Sequence, residues 1–190
     1  MGKITIILLL SSTIIAMPMV MGMAEGPKAV EEWFSKLRQK KEKVTRLHFF
    51  FHDTVSSTNP TAVTVAQANG TSKSPTLFGE TVVMDDPLTV GPEHNSKLVG
   101  RAQGLYSSVG LENIALLMTM NLVFTEGKYN GSTLSLLGKN AALQMYREMP
   151  IVGGTGVFRL ARGIATAKTV FFNATSLDAV VEYNVMVIHY

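Results

Sequence analysis

The chain has 190 residues, of which 46% are hydrophobic and 16% charged. That supplies one domain with a sizeable core and excludes a disordered chain. Net charge is +3, and Glu42 interrupts the one dense basic cluster (Lys36, Arg38, Lys40, Lys41, Lys43), which fits a solvated helix face better than a nucleic-acid surface.

Residues 1–24 read as a secretory signal peptide. Lys3 supplies the positive start, an apolar run continues from Ile4 to about Met23, and Gly22-Met23-Ala24 offers small residues for cleavage near Ala24. The run approaches the ~20 residues of a membrane-spanning helix. Ser11-Ser12-Thr13 and Pro18 weaken that reading, so the mature protein is expected to be free of the membrane. Three glycosylation sequons agree with secretion: Asn69-Gly70-Thr71, Asn130-Gly131-Ser132 and Asn173-Ala174-Thr175. There is no cysteine. A secreted chain without disulfides relies on its core, on oligomerisation, or on both, and thiol catalysis and Cys-ligated metals are excluded.

Residues 25–43 are predicted to be a linker or short amphipathic helix, with Val30, Trp33, Phe34 and Leu37 at helical spacing. From Val44 the period becomes two. Thr45, Leu47, Phe49 and Phe51 share one face; Arg46, His48, Phe50 and His52 share the other, read as the outer one. Strand-like runs follow at 62–68, 77–84, 98–107, 116–124, 132–137, 146–152, 157–172 and 179–190, most of them separated by turn signals such as Asn59-Pro60 and Asn130-Gly131. The class is all-β, with eight or nine strands in an antiparallel barrel or sandwich. Met118, Met120, Leu122 and Phe124 line one face of their strand; Ala179, Val181, Tyr183, Val185 and Val187 line one face of the last. Apolar residues on both faces of several strands suggest a partly apolar lumen and an exterior covered by another subunit.

Motif chemistry is mostly exclusion. His48 and His52 on a strand stand ~13 Å apart, too far to share a metal ion, and His94 and His189 have no adjacent ligand pattern. Gly153-Gly154-Thr155-Gly156 has Arg159 where a dinucleotide fingerprint needs its third glycine, and it joins two strands rather than opening a helix. No Gly-x-Ser-x-Gly elbow is present. Asp53 remains. It continues the Leu47-Phe49-Phe51 face, so an inward-facing strand would carry its carboxyl into an apolar cavity, where desolvation raises its pKa and suits it to proton transfer. A strand-end turn or a buried ion pair is the structural alternative for the same residue.

Leu47-His48-Phe49-Phe50-Phe51-His52-Asp53 resembles the first signature of plant dirigent proteins. The resemblance continues in order through Val82-Val83-Met84-Asp85-Asp86-Pro87-Leu88-Thr89, Val99-Gly100-Arg101-Ala102-Gln103-Gly104-Leu105-Tyr106 and Gly127-Lys128-Tyr129-Asn130-Gly131-Ser132-Thr133-Leu134. It then runs through Arg147-Glu148-Met149-Pro150-Ile151-Val152-Gly153-Gly154-Thr155-Gly156, Phe158-Arg159-Leu160-Ala161-Arg162-Gly163 and Val180-Val181-Glu182-Tyr183-Asn184-Val185, so it spans residues 44–190.

That resemblance implies an eight-stranded antiparallel β-barrel of the allene-oxide-cyclase type, usually a homotrimer, secreted to the plant apoplast and cell wall. It implies no cofactor and no metal. Members bind phenols in the barrel, and the best-known activity directs coupling of coniferyl-alcohol radicals, made by a separate laccase or peroxidase, towards one lignan enantiomer through a quinone methide. Other members are pterocarpan synthases, which dehydrate isoflavanols through a quinone methide and close an ether ring. A non-catalytic phenolic-binding protein of the wall is a third reading, favoured by an empty or side-chain-filled lumen. Carried over by position, Asp53 handles the proton, Tyr106 orients a phenol, and Arg147 holds charge near a carboxylate or phenolate. Phe49, Phe51 and Asn140 complete the expected substrate contacts. Asn140 is a departure, because pinoresinol-forming members have an aspartate seven residues before the arginine, and an amide cannot be a general acid. The ending Val187-Ile188-His189-Tyr190 departs as well and points to the wider dirigent-like subgroup.

Overall fold

The computed structural model describes residues 26–190; the expected signal peptide lies outside them. The predicted linker or short helix is a helix, α1 (Pro27–Ser35), with proline in its first turn, where a missing N–H costs nothing. Trp33 on α1 lies under Lys40 and Arg159, at 5.3 and 5.4 Å from its ring centre, which ties the helix to the turn before the eighth strand.

Nine strands follow: β1 (Lys43–Asp53), β2 (Ala62–Ala66), β3 (Thr81–Thr89), β4 (Leu98–Ser108), β5 (Leu116–Phe124), β6 (Thr133–Asn140), β7 (Arg147–Thr155), β8 (Arg162–Phe172) and β9 (Ala179–His189). Their order is β1-β9-β8-β7-β6-β5-β4-β3-β2, all antiparallel, and β1 also pairs with β3. That last pairing closes an eight-stranded barrel and decides between barrel and sandwich. The short β2 shares one place beside β3 with the end of β1.

The closing seam is brief, limited to Phe50↔Thr89 and Phe51↔Leu88. Pro87 explains its length. The Asp85 N–H points across the seam to Thr61 O, at 2.8 Å, so the backbone two residues on faces the same way, where Pro87 has no donor. The chain therefore leaves β1 at Asp53, loops through 54–61 and returns as β2 against the first half of β3.

Inward stripes make the core. Leu122, Leu134, Met149, Val187 and Ala165 are fully buried. At one end the barrel is filled by aromatic side chains. Phe49 stacks on Tyr183 with centroids 5.7 Å apart, and Phe158 packs on Phe124, Tyr129 and His189 at 4.9–5.6 Å.

Two predicted runs are shorter than their hydrophobicity suggests. Leu77 and Leu160 adopt left-handed backbone, φ 55° each, so the runs from 77 and from 157 begin as turns, and β3 and β8 start at Thr81 and Arg162. The two histidines of the first signature also differ from each other. His48 is on the outside, 2.8 Å from Glu182. His52, expected on the same outer face, is buried instead. It hydrogen-bonds Thr89 Oγ1 at 2.7 Å and packs on His94, because the 90–97 loop folds over the seam.

Candidate active site

The other end of the barrel is open. A cavity of about 880 Å³ enters it, within the range of ligand pockets. The strand ends that meet there are the C-termini of β1, β4, β6 and β8 and the N-termini of β3, β5, β7 and β9, as antiparallel order requires. Phe51, Val82, Leu116, Met118 and Val181 give apolar walls, and Tyr183 forms part of the floor. The lumen is thus not filled by side chains at this end.

Five of the six expected site residues share this cavity: Asp53, Tyr106, Arg147, Phe51 and Asn140. Phe49 does not line it. It lies one layer deeper, stacked beneath Tyr183, and supports the floor.

Asp53 is the last residue of β1, and alternation points it inward with Phe49 and Phe51. Burial pushes its carboxyl up to about 6, the Tyr106 hydroxyl opposes that by hydrogen bonding, and Asp178 adds to it as a like charge. Its Oδ1 is buried with no hydrogen-bond partner. Asp178 is itself held well below the usual range by Ser56, Ser176 and the N–H groups of Val55 and Ser56, so it stays ionised and clamps the loop after β1. Burial and the facing Asp53 push the Tyr106 phenol far up, so it is a neutral donor.

Arg147 opens β7, three strand positions from β1, which puts it near the opposite wall of an eight-stranded barrel. It is 4% exposed. Its Nε donates to Asn140 Oδ1 at 3.1 Å and Nη1 to Gln144 O at 3.5 Å. Among the described residues no carboxylate pairs with it. Burial lowers its pKa from the ordinary guanidinium value, and Tyr183 opposes this. A buried cation held by amide and carbonyl oxygens retains its full charge for whatever occupies the cavity.

Sequence reasoning missed Asp86. It is fully buried on β3, neither carboxyl oxygen has a partner at hydrogen-bond geometry, and burial followed by the charge of Asp53 pushes it up to about 8, against the nearby Thr61 hydroxyl and the charge of Arg101. A signal was present: Val82, Met84, Asp86 and Leu88 alternate onto one apolar face, and an acid in such a stripe marks a buried carboxyl. Lys168, on the cavity wall near Tyr146, was also not singled out. The sequon residues Asn69, Asn130 and Asn173 are all exposed and none lines the cavity, although Phe172 and Ala174 beside Asn173 do.

Comparison with known proteins agrees with this architecture. The family model described as Dirigent-like protein matches residues 44–188. Dirigent protein 23 of Arabidopsis thaliana is 49% identical over 180 residues, covering 94% of this chain and 96% of that protein. Pterocarpan synthase 1 of Glycine max is 53% identical over 152 residues, covering 80% and 82%. Two solved structures of pterocarpan synthase dirigent proteins superpose with a TM-score of 0.74 at 51% identity, over 80% of this chain and 87% and 98% of theirs. A closed antiparallel barrel, an apolar-walled cavity with a few polar groups at its open end and a family match over nearly all of the described residues establish that this chain belongs to the dirigent family.

Proposed function

We propose that the protein is a cofactor-free dehydratase of phenolic benzylic alcohols, isoflavanols being the model case, that forms a quinone methide and closes an ether ring on it. The observation that carries this reading is the polarity of the cavity. A carboxyl with a raised pKa lies on one wall and an uncompensated guanidinium near the other. Asp53 gives its proton to the benzylic hydroxyl, the C–O bond breaks, and water leaves with the bonding electrons. The para phenol releases its proton to solvent as the quinone methide forms, to be returned from solvent after ring closure, and Arg147 stabilises negative charge developing on that oxygen. A second substrate hydroxyl then attacks the benzylic carbon. Its proton goes to the Asp53 carboxylate, and the phenol oxygen regains one, so the net change is loss of one water. Tyr106 orients the substrate, and the apolar walls hold the rings edge-on for closure. Similarity to Pterocarpan synthase 1 of Glycine max and to two solved pterocarpan synthase structures supports the reading.

The test is turnover of a purified isoflavanol with no oxidase present. The expected result is an ether-closed product, a rate that falls as pH rises through about 6 because Asp53 must start protonated, and a loss of about 100-fold or more in kcat for Asp53→Asn. A folded Asp53→Asn protein with full turnover would remove this residue from the mechanism.

A second reading is stereoselective coupling of phenoxy radicals such as those of coniferyl alcohol, supplied by a laccase or peroxidase. The cavity volume favours it, because about 880 Å³ has room for two small phenols. An enantiomeric excess appearing only when the protein joins the oxidase would select it. For either reaction we propose a secreted, glycosylated homotrimer of the apoplast, supported by the exposed sequons and by the outward-facing row of Val83, Leu105, Leu137 and Val152.

A further inference from the structure

The β1–β3 seam places two acids opposite each other. Pairing is antiparallel with Phe51 opposite Leu88. Continuing that register by two residues puts Asp53 opposite Asp86, at the point where Pro87 has ended the ladder. Both belong to inward faces, and cross-strand Cβ atoms lie about 4.5–5.5 Å apart. Neither carboxyl has a salt bridge among the described residues. Three of their four oxygens, Asp53 Oδ1 and both of Asp86, are buried without a hydrogen-bond partner. Two ionised carboxylates in that position would repel each other in a poorly solvated site, whereas one proton between them relieves the repulsion and satisfies the oxygens.

We propose that Asp53 and Asp86 form a carboxyl pair carrying one proton, with Asp86 as the positioning residue that keeps Asp53 able first to give and then to take back a proton. The inference deepens the acid–base reading above and rests on it for its chemical meaning. The reaction asks one carboxyl for both roles in turn. When Asp53 has protonated the leaving hydroxyl, its new charge is shared with the protonated Asp86 beside it. When the second hydroxyl closes the ring, its proton returns to the pair. Asp86 itself does not line the cavity and does not meet substrate.

Other groups face the pair and set its background. Tyr106 faces it from β4, Thr61 from the loop after β1, Asp178 from the turn before β9 and Tyr183 from β9, while the charges of Arg101 and Asp85 act on it from the far side of the sheet. Asp85 is on the outer face, paired with Arg101. None of them is a neutral acid able to replace Asp86.

Carboxyl ¹³C resonances titrated on the ligand-free protein test the pair directly. Wild type is expected to show two coupled steps, both above the ordinary aspartate range. In Asp53→Asn the Asp86 midpoint should fall by about one to two pH units, because the charge facing it is gone. In Asp86→Asn the upper step should vanish while Asp53 keeps a midpoint of about 6, since Asp86 is protonated and uncharged when Asp53 ionises. Asp86→Glu should restore the upper step. An Asp86 midpoint unmoved in folded Asp53→Asn overturns the proposal. Should Asp53→Asn not fold, a wild-type titration in which the two carboxyls ionise in independent single steps does the same. Coupled steps in a protein that turns over no isoflavanol would refute the reaction and leave the pair standing.

Discussion

Asn140 decides the charge of the cavity. Its amide oxygen holds Arg147 Nε at 3.1 Å without cancelling the guanidinium charge. An aspartate at this position would form a charge-assisted pair with the same atom. Asn140→Asp is therefore expected to tie up Arg147 and lower kcat for isoflavanol dehydration by about tenfold, with KM changed little, because the stabilisation removed belongs to the developing phenolate. The same variant places an aspartate where pinoresinol-forming members have one, in a cavity already lined by Asp53 and Glu80. Steady-state kinetics near pH 6 check the first effect. An unchanged or higher kcat would show that the free charge of Arg147 contributes nothing to the step.

Among the elements, strands were the most legible feature of the sequence. The switch to a two-residue period at Val44 marked the start of β1 to within one residue, and the inward stripes of β1, β5 and β9 are those the alternation indicated. Legibility ended where long-range contacts override local pattern. His52 alternates outward, but the 90–97 loop buries it. Phe49 shares its face with Asp53, but depth along the strand places it under the cavity. Leu77 is hydrophobic enough for a strand, yet it turns with positive φ at the cavity mouth, as does Leu177. The loop between β1 and β2 and the brevity of the seam depend on a missing donor at Pro87, which acts across strands. β4 and β5 show the opposite case, a local residue with a long-range purpose. A Cβ on Gly104 would lie 2.2 Å from Thr119 O and 2.6 Å from Met120 Cα, so only glycine lets these strands approach and set Tyr106 two residues on. Gly104→Ala should destabilise the protein by about 2–4 kcal/mol in denaturant unfolding. A cost below about 0.5 kcal/mol would mean that β4 can shift without strain.

At the scale of the whole molecule, the barrel has an outer surface that a single chain leaves wet. Val83, Leu105, Thr119 and Leu137 are successive cross-strand partners on β3, β4, β5 and β6. Val152 on β7 extends this row around a shallow depression. Val83, Leu137 and Val152 are 41%, 47% and 56% exposed, whereas charged residues would be expected on a face meant only for water. A row of Val and Leu side chains broken only by Thr119 across five adjacent strands suits burial against further copies of the chain, and a chain without cysteine benefits from that added burial. Sedimentation at micromolar concentration is expected to give the mass of three chains. Arginine in place of both Leu137 and Val152 would bury charge without a partner, and this double variant should sediment as a monomer with a native-like far-UV spectrum. Its melting temperature should be lower, and should no longer rise with protein concentration as the trimer's does. A wild-type protein that sediments as a monomer at those concentrations would leave the row without its partner and refute the trimer. Trimerisation that survives both arginines would move the interface to another face of the barrel.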